Sequence, residues 1–215
     1  MPLQGQVPTS ATLVSPDDGG LRATVLSRWN DGSAAVMVVA SSTTVTAGED
    51  RVVRLQSAAV PSGETNLTAA RVGQLVNVVT VDCGALGRAE IRDFSNPERV
   101  WWANPQTICA RYRVAVSGHA TLEAVIDVHA YAANSALVEV VLENCKMLTS
   151  AVVRPAAVNY TGATVSVNGG PAVATVNSSA MPVEGTHAPF RAWYASAWVG
   201  SNGPAPRVTQ CPRAR

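Results

Sequence analysis

Lysine is all but missing from this sequence: Lys146 is the only one, and arginine supplies the rest of the basic charge. That bias fits a GC-rich coding genome, and it also suits planar, two-pronged contacts at interfaces. Charge of either sign is scarce, at 14% of residues, and the formal net charge is +1. A chain so near neutrality offers no basic field to a polyanion, so no nucleic acid partner is expected. With 47% apolar residues it is also too hydrophobic for a disordered chain.

Other absences narrow the class further. No apolar run approaches the ~20 residues of a membrane span, so no membrane span is expected. The opening Met1-Pro2-Leu3-Gln4-Gly5-Gln6 lacks the basic and apolar regions of a signal peptide, which sets the expectation of synthesis in a cytosol. Cys83, Cys109, Cys145 and Cys211 are widely spaced, with no Cys-x-x-Cys pair. Reduced, unpaired thiols are expected, with no metal site, since zinc ligands cluster in sequence. Gly-x-Ser-x-Gly is absent, and so are a phosphate-cradling glycine loop and acidic residues at calcium-loop spacing. The Gly169-Gly170 pair reads as a turn beside a strand. No cofactor is expected and no catalytic residue is assigned. Carboxylate pairs for sugar hydrolysis stand far apart in a chain, so spacing is silent on them.

What the sequence does contain is turn chemistry between short apolar blocks. In Arg28-Trp29-Asn30-Asp31-Gly32-Ser33, Asn and Asp tolerate left-handed backbone angles and Gly takes them at no steric cost. The flanking runs, Leu21–Leu26 and Ala34–Ala40, make this a β-hairpin. Alternation and turn residues place further strands at Ala11–Val14, Val52–Gln56, Leu75–Asp82, Ala89–Arg92, Ile108–Val116, Leu122–Tyr131, Leu137–Glu143, Val152–Arg154, Ala157–Val167, Ala172–Val176 and Ala192–Val199. The first hairpin spans Leu21–Trp29 and Ala34–Ser41. The fold class is all-β: an antiparallel β-sandwich or barrel-like domain, or two packed β subdomains. Pro61, Ser62 and Gly63 mark a boundary. The expected domains are 1–60, an N-terminal β-hairpin subdomain, 61–199, a larger antiparallel sandwich, and 200–215, an extended Pro-rich tail.

The middle of the chain reads as a three-stranded meander. Tyr112, Val114 and Val116 share a face; so do Leu122, Ala124, Ile126 and Val128, and so do Val138, Val140 and Leu142. Three-residue turns centred on Gly118 and Asn134 align these faces. They set Arg113 opposite Glu123, and His129 opposite Glu139, on the other side of the sheet. His129 then sits among Asp127, Glu139 and Glu143, either as a general acid/base or as part of a solvated charged layer, and the second reading is preferred. His119 is turn chemistry, and His187 lies in a loop rich in aromatics.

Aromatics make up 5% of the chain but are grouped. Trp101-Trp102 forms one group; Phe190, Trp193, Tyr194 and Trp198 form another. Neighbours on a strand face opposite sides, so one of Trp101 and Trp102 is expected at the surface. Such groups fill cores at sheet edges, dock partners or stack on sugars. Trp101, Trp102, Trp193, Tyr194 and Trp198 are the candidate partner- or glycan-binding residues.

Several short motifs occur in order: Arg28-Trp29-x-Asp31-Gly32-Ser33, Pro97-Glu98-Arg99-Val100-Trp101, Arg111-Tyr112-Arg113, Val138–Asn144 and Arg191-Ala192-Trp193. Together they resemble the β-region of exo-rhamnogalacturonan-lyase-like proteins. Similar β-domains occur in long proteins encoded among the structural genes of tailed bacteriophages and gene-transfer agents. The matched residues look like hairpin, packing and strand-pairing positions, none of them catalytic. The resemblance implies a non-enzymatic virion component, a decoration, adaptor, baseplate or fibre-base module, assembled in the host cytoplasm. Its implied partners are other virion proteins, in a homo-oligomer or symmetric assembly, with host-surface glycan as a further ligand. The alternative it leaves is a carbohydrate-binding module or a polysaccharide lyase-like enzyme domain.

Overall fold

A computed structural model describes residues 7–8, 11–41, 48, 50, 52–59, 62–144, 158, 163–176, 192–200 and 207–210. The strands are β1 Ala11–Val14, β2 Arg22–Arg28, β3 Ala34–Ala40, β4 Gln56–Ala59, β5 Val79–Asp82, β6 Arg88–Ile91 and β7 Arg99–Ala103. They continue with β8 Thr107–Ala115, β9 Glu123–Tyr131, β10 Ala136–Glu143, β11 Ala163–Val167, β12 Ala172–Val176, β13 Ala192–Val199 and β14 Arg207–Gln210. The protein is all-β, built from several antiparallel sheets. One short helix, α1, covers Ala69–Leu75, so the strand expected from Leu75 begins only at Val79. The strand expected at Val52–Gln56 lies at Gln56–Ala59 instead. β7 and β14 are strands that the sequence pattern does not predict; β14 pairs with β13. Val152–Arg154, and Ala157 with 159–162, lie outside the described residues.

The chain divides into two units assembled from separated stretches: Met1–Thr68, Val100–Cys109 and Tyr131–Ala133 form the first, and the remaining residues form the second. In the first, β1 pairs with β4 from Ala11↔Ala59 to Val14↔Gln56, and β2 with β3. The β2–β3 turn is the expected one. The Trp29 N–H donates to the Ser33 carbonyl at 2.8 Å, and Gly32 N–H to the Trp29 carbonyl at 2.9 Å. This is a three-residue hairpin loop closed by a left-handed residue, Gly32 at φ 83. Asp31 Oδ1 accepts the Ser33 N–H at 2.9 Å, and Arg28 Nη1 donates to the Gly32 carbonyl at 2.8 Å. Arg22 pairs with Glu64, and Arg54 forks onto Asp17 at 2.6 and 3.0 Å. Asn104 Oδ1 accepts the Gln106 and Thr107 N–H groups, both at 2.9 Å, and so turns the chain from β7 to β8.

The second unit is sandwich-like. A six-stranded sheet has the order β14-β13-β10-β9-β8-β7, and a four-stranded sheet the order β12-β11-β5-β6; β7 from Val100 and the first residues of β8 fall in the first unit's stretches. β11 and β12 touch β13. Ala124, Ile126, Val128, Val138, Val140 and Leu142 are buried on one sheet, and Val79, Val81, Ala89, Ala163 and Val165 on the other. The alternation, strict along β10 and β11, fits a sheet with one face in the core and one outside. Tyr112 meets Phe94 edge-to-face at 5.0 Å and donates its hydroxyl to the Phe94 carbonyl at 2.9 Å. The β11–β12 turn holds Asn168 and Gly169 at φ 56 and 69. The Asn168 side chain also donates to the Leu75 carbonyl at 3.0 Å and accepts the Asn77 N–H at 2.7 Å, which closes the C-terminus of α1.

The meander has the expected faces but a different register. β9 and β10 pair Ala130↔Ala136, His129↔Leu137 and Asp127↔Glu139. His129 is therefore opposite Leu137, not Glu139. Asn134 takes the expected left-handed angle, at φ 58, inside a turn two residues longer than expected.

Candidate functional site

The outer face of the six-stranded sheet carries a ladder of charge. Strand alternation puts Glu123, Asp127 and His129 on the side of β9 away from the core, with Arg111 and Arg113 from β8 and Glu139 and Glu143 from β10. Arg111 grips Asp127 with two bonds, at 2.8 and 2.5 Å, and the Asp127 hydrogen bond raises the Arg111 pKa above its ordinary value. Arg113 gathers three carboxylates: Glu143 at 2.6 Å, Glu123 at 3.0 Å and Glu98 at 3.2 Å. Burial alone would lower the Arg113 pKa, but the bonds to Glu143 and Glu123 and the Glu98 charge outweigh it and raise it. The sequence pairing of Arg113 with Glu123 is thus present as an ion pair.

Arg113 is needed where it stands because Glu123 and Glu143 are directly opposite each other in the register. Like charges across a strand pair destabilise it, and Glu123 is buried, 6% exposed. One guanidinium from the neighbouring strand bonds both carboxylates and offsets part of their repulsion.

His129 joins this ladder through Glu139, with Nε2 and Oε2 2.7 Å apart, a diagonal contact in the observed register. Glu143 is not its neighbour: it lies six residues along β10 from Leu137, roughly 20 Å away at ~3.4 Å per residue. A pocket of about 510 Å³ is lined by Ile91, Asn96, Pro97, Glu98, Tyr112, Arg113, Ala115 and Glu123; His129 is not among its residues. Sequence reasoning missed this pocket because Ile91 and Glu98 meet Arg113 only through the tertiary fold. Among the described residues, no three of His, Cys, Asp and Glu are placed to hold a metal.

The candidate aromatics separate into two places. Trp101 and Trp102 are on β7, in the first unit; Trp101 is 36% exposed and Trp102 half-buried, the expected opposition of neighbours. Trp193, Tyr194 and Trp198 are on β13, in the second, opposite Leu142, Val141 and Leu137 respectively. Trp198 is half-buried. His187 and Phe190 lie outside the described residues.

Burial points to a different set of apolar side chains. Among the described residues, every exposed large hydrophobic side chain belongs to the first unit. Leu26 and Trp29 stand at β2, Val36 and Val39 on β3, Val52 and Leu55 before β4, and Val100 and Trp101 on β7. The sequence reading named only Trp101 among them. Strand alternation was the available signal for Val36 and Val39: the run Ala34–Ala40 is apolar on both faces, more than a two-stranded ribbon can bury.

These features define an all-β protein with a charged sheet face laced by ion pairs and exposed apolar side chains in the first unit. Comparison with protein-family models, with curated proteins and with solved structures finds no match to the chain.

Proposed function

We propose that this chain is a non-enzymatic bacteriophage virion component, a decoration, adaptor, baseplate or fibre-base module, that works by protein–protein assembly. One observation carries the reading: the exposed large hydrophobic side chains are collected in the first unit, while the outer sheet face of the second is laced by its own ion pairs. Apolar patches rimmed by polar residues are docking surfaces, and Trp and Arg are the usual energetic anchors of interfaces. With a net charge of +1, long-range attraction contributes little, so contacts bury apolar surface. The resemblance of the motif order to phage and gene-transfer-agent β-domains suggests the virion context.

The test is incorporation. Trp101→Ala and the pair Leu26→Ser with Trp29→Ala should weaken entry into particles or oligomers, read by gradient sedimentation, with dichroism unchanged. Normal incorporation of both variants overturns the reading. A second reading, glycan binding, is favoured by the row Trp198–Leu137–His129 beside Glu139–Asp127, since an indole next to planar polar groups suits a sugar ring. Loss of oligosaccharide binding in Trp198→Ala supports it. If the purified protein depolymerised an acidic polysaccharide and His129→Ala stopped it, a lyase-like enzyme would replace both.

A further inference from the structure

We propose that Asn168 is a self-modifying site: it deamidates against its own backbone, and the product unlatches helix α1 from the β11–β12 turn. The inference goes beyond the assembly reading and does not depend on it. Asn-Gly is the dipeptide in which this reaction meets least hindrance, because glycine has no side chain to shield its nitrogen. It occurs twice in the sequence, at Asn168-Gly169 and Asn202-Gly203; the second lies outside the described residues.

The turn sets Asn168 in place. The Val167 carbonyl accepts the Gly170 N–H at 3.1 Å, with Asn168 and Gly169 between them at φ 56 and 69. Two left-handed residues in succession make the tight hairpin turn that Asn-Gly favours. Asn168, Gly169 and Gly170 are exposed, so water reaches the site.

Water is the only co-reactant. The Gly169 nitrogen gives up its proton and attacks Asn168 Cγ. The new N–Cγ bond closes a five-membered succinimide; the Cγ–Nδ2 bond breaks, and Nδ2 takes up a proton and departs as ammonia. Water then opens either carbonyl of the ring, giving aspartate or isoaspartate. Nothing is oxidised or reduced, and the escape of ammonia makes the change one-way.

The fold holds the reaction back. Asn168 Oδ1 accepts the Asn77 N–H at 2.7 Å, and Nδ2 donates to the Leu75 carbonyl at 3.0 Å. Both bonds draw the amide toward the link between α1 and β5. Ring closure swings Cγ onto the Gly169 nitrogen and so breaks both. Two hydrogen bonds of ordinary net strength slow it roughly tenfold or more.

The product reverses the hydrogen-bonding sense. A carboxylate cannot donate to the Leu75 carbonyl, so two acceptors face each other where a bond stood, at a helix end whose carbonyls need donors. Their repulsion drives the side chain off the link and leaves the Asn77 N–H to water. Isoaspartate also adds a carbon to the backbone of the turn. Val72 and Val76 are fully buried and keep α1 seated, so what loosens is its C-terminal end.

The experiment ages the full chain in mildly alkaline buffer, folded and in urea, and maps it by mass spectrometry after trypsin; Arg191 separates the two Asn-Gly pairs. Asn168 should convert in the folded chain, roughly tenfold or more slowly than in urea. Amide exchange followed by NMR should be roughly tenfold faster at Val76 and Asn77 in Asn168→Asp than in the wild type, with Val79 and Val81 unchanged. Asn168→Gly, which keeps the turn and cannot deamidate, should free the same two amides. Equal rates in the folded chain and in urea overturn the latch. A folded chain that stays intact while the unfolded one converts overturns the site. Unmoved exchange at Val76 and Asn77 in both variants overturns the hold of this side chain on α1.

Discussion

Replacing Arg113 with Met should convert the most crowded charge cluster into a pH-dependent weakness. Met keeps most of the aliphatic volume and removes the guanidinium that bonds Glu143, Glu123 and Glu98 at 2.6, 3.0 and 3.2 Å. Glu123 and Glu143 would then face each other across β9 and β10, one of them 6% exposed. Breaking a buried pair costs about 3–5 kcal/mol, whereas an exposed pair is worth about 0–1. The Arg113 side chain is 37% exposed, so solvent screens part of the effect. A loss of about 2–3 kcal/mol at pH 7 is expected between those limits.

At about 2–4 °C per kcal/mol for a chain of this size, Tm should fall by about 4–12 °C. The sign of the pH dependence follows from the same geometry. Without Arg113, the two glutamates destabilise the strand pair only where both carry charge. The deficit relative to wild type should therefore be full at pH 7 and shrink toward pH 4. Urea melts of both proteins across that range measure it, and Arg113→Lys should recover part of the loss. A deficit below about 1 kcal/mol at pH 7, or one independent of pH, would refute the argument that Arg113 compensates a like-charge strand pair.

Gly32→Val should cost about 1–2 kcal/mol from strain at the left-handed hairpin position; an unchanged Tm would show the turn tolerates a β-branched residue. Gly87→Ala should cost more, about 3 kcal/mol, because φ is 105 and a Cβ there would lie 1.7 Å from the Ser117 carbonyl oxygen; a milder effect than Gly32→Val would contradict the close approach. Tyr112→Phe should cost about 1–2 kcal/mol by leaving the Phe94 carbonyl without its donor, measured by denaturant unfolding. Burial, with the Asp82 charge adding to it, pushes the Cys83 thiol up to about 11. Stability should thus decline as pH rises from about 8.5 through 11, and Cys83 and Cys109, both buried, should resist a thiol reagent at pH 8 until the chain unfolds; rapid labelling of the native protein would count against this.

Strands were legible wherever alternation and turn chemistry agreed. Asn30-Asp31-Gly32 names its own conformation, and β1 and β12 fall at their expected bounds. α1 was not legible, because its seven residues bury a single side chain, Val72, too few for a helical stripe to stand out from neighbouring β-branched residues. β7 was not legible either: its Arg99-Val100-Trp101-Trp102 run has three exposed positions in succession, so no apolar–polar alternation marks it. The first unit gathers residues as distant as Arg22 and Glu64, or Thr24 and Asn104, and no local pattern announces such pairs.

The candidate site shows most clearly where local reasoning stops. A slip of one residue between β9 and β10 would turn every apolar side chain outward, so hydrophobic patterning forbids it. A slip of two residues changes no face at all. The registers His129↔Glu139 and His129↔Leu137 therefore bury the same Ile126, Val128, Val138 and Val140, and Asn134 can turn the chain in either. Turn length alone separates them, and it decides every charge partner on the outer face. In one register His129 has a carboxylate directly across and looks like an acid/base pair. In the other, Glu123 meets Glu143, and the sheet requires a cation between them, which β8 supplies as Arg113. The arginine reads as a structural clamp because of a register choice to which the apolar pattern is indifferent.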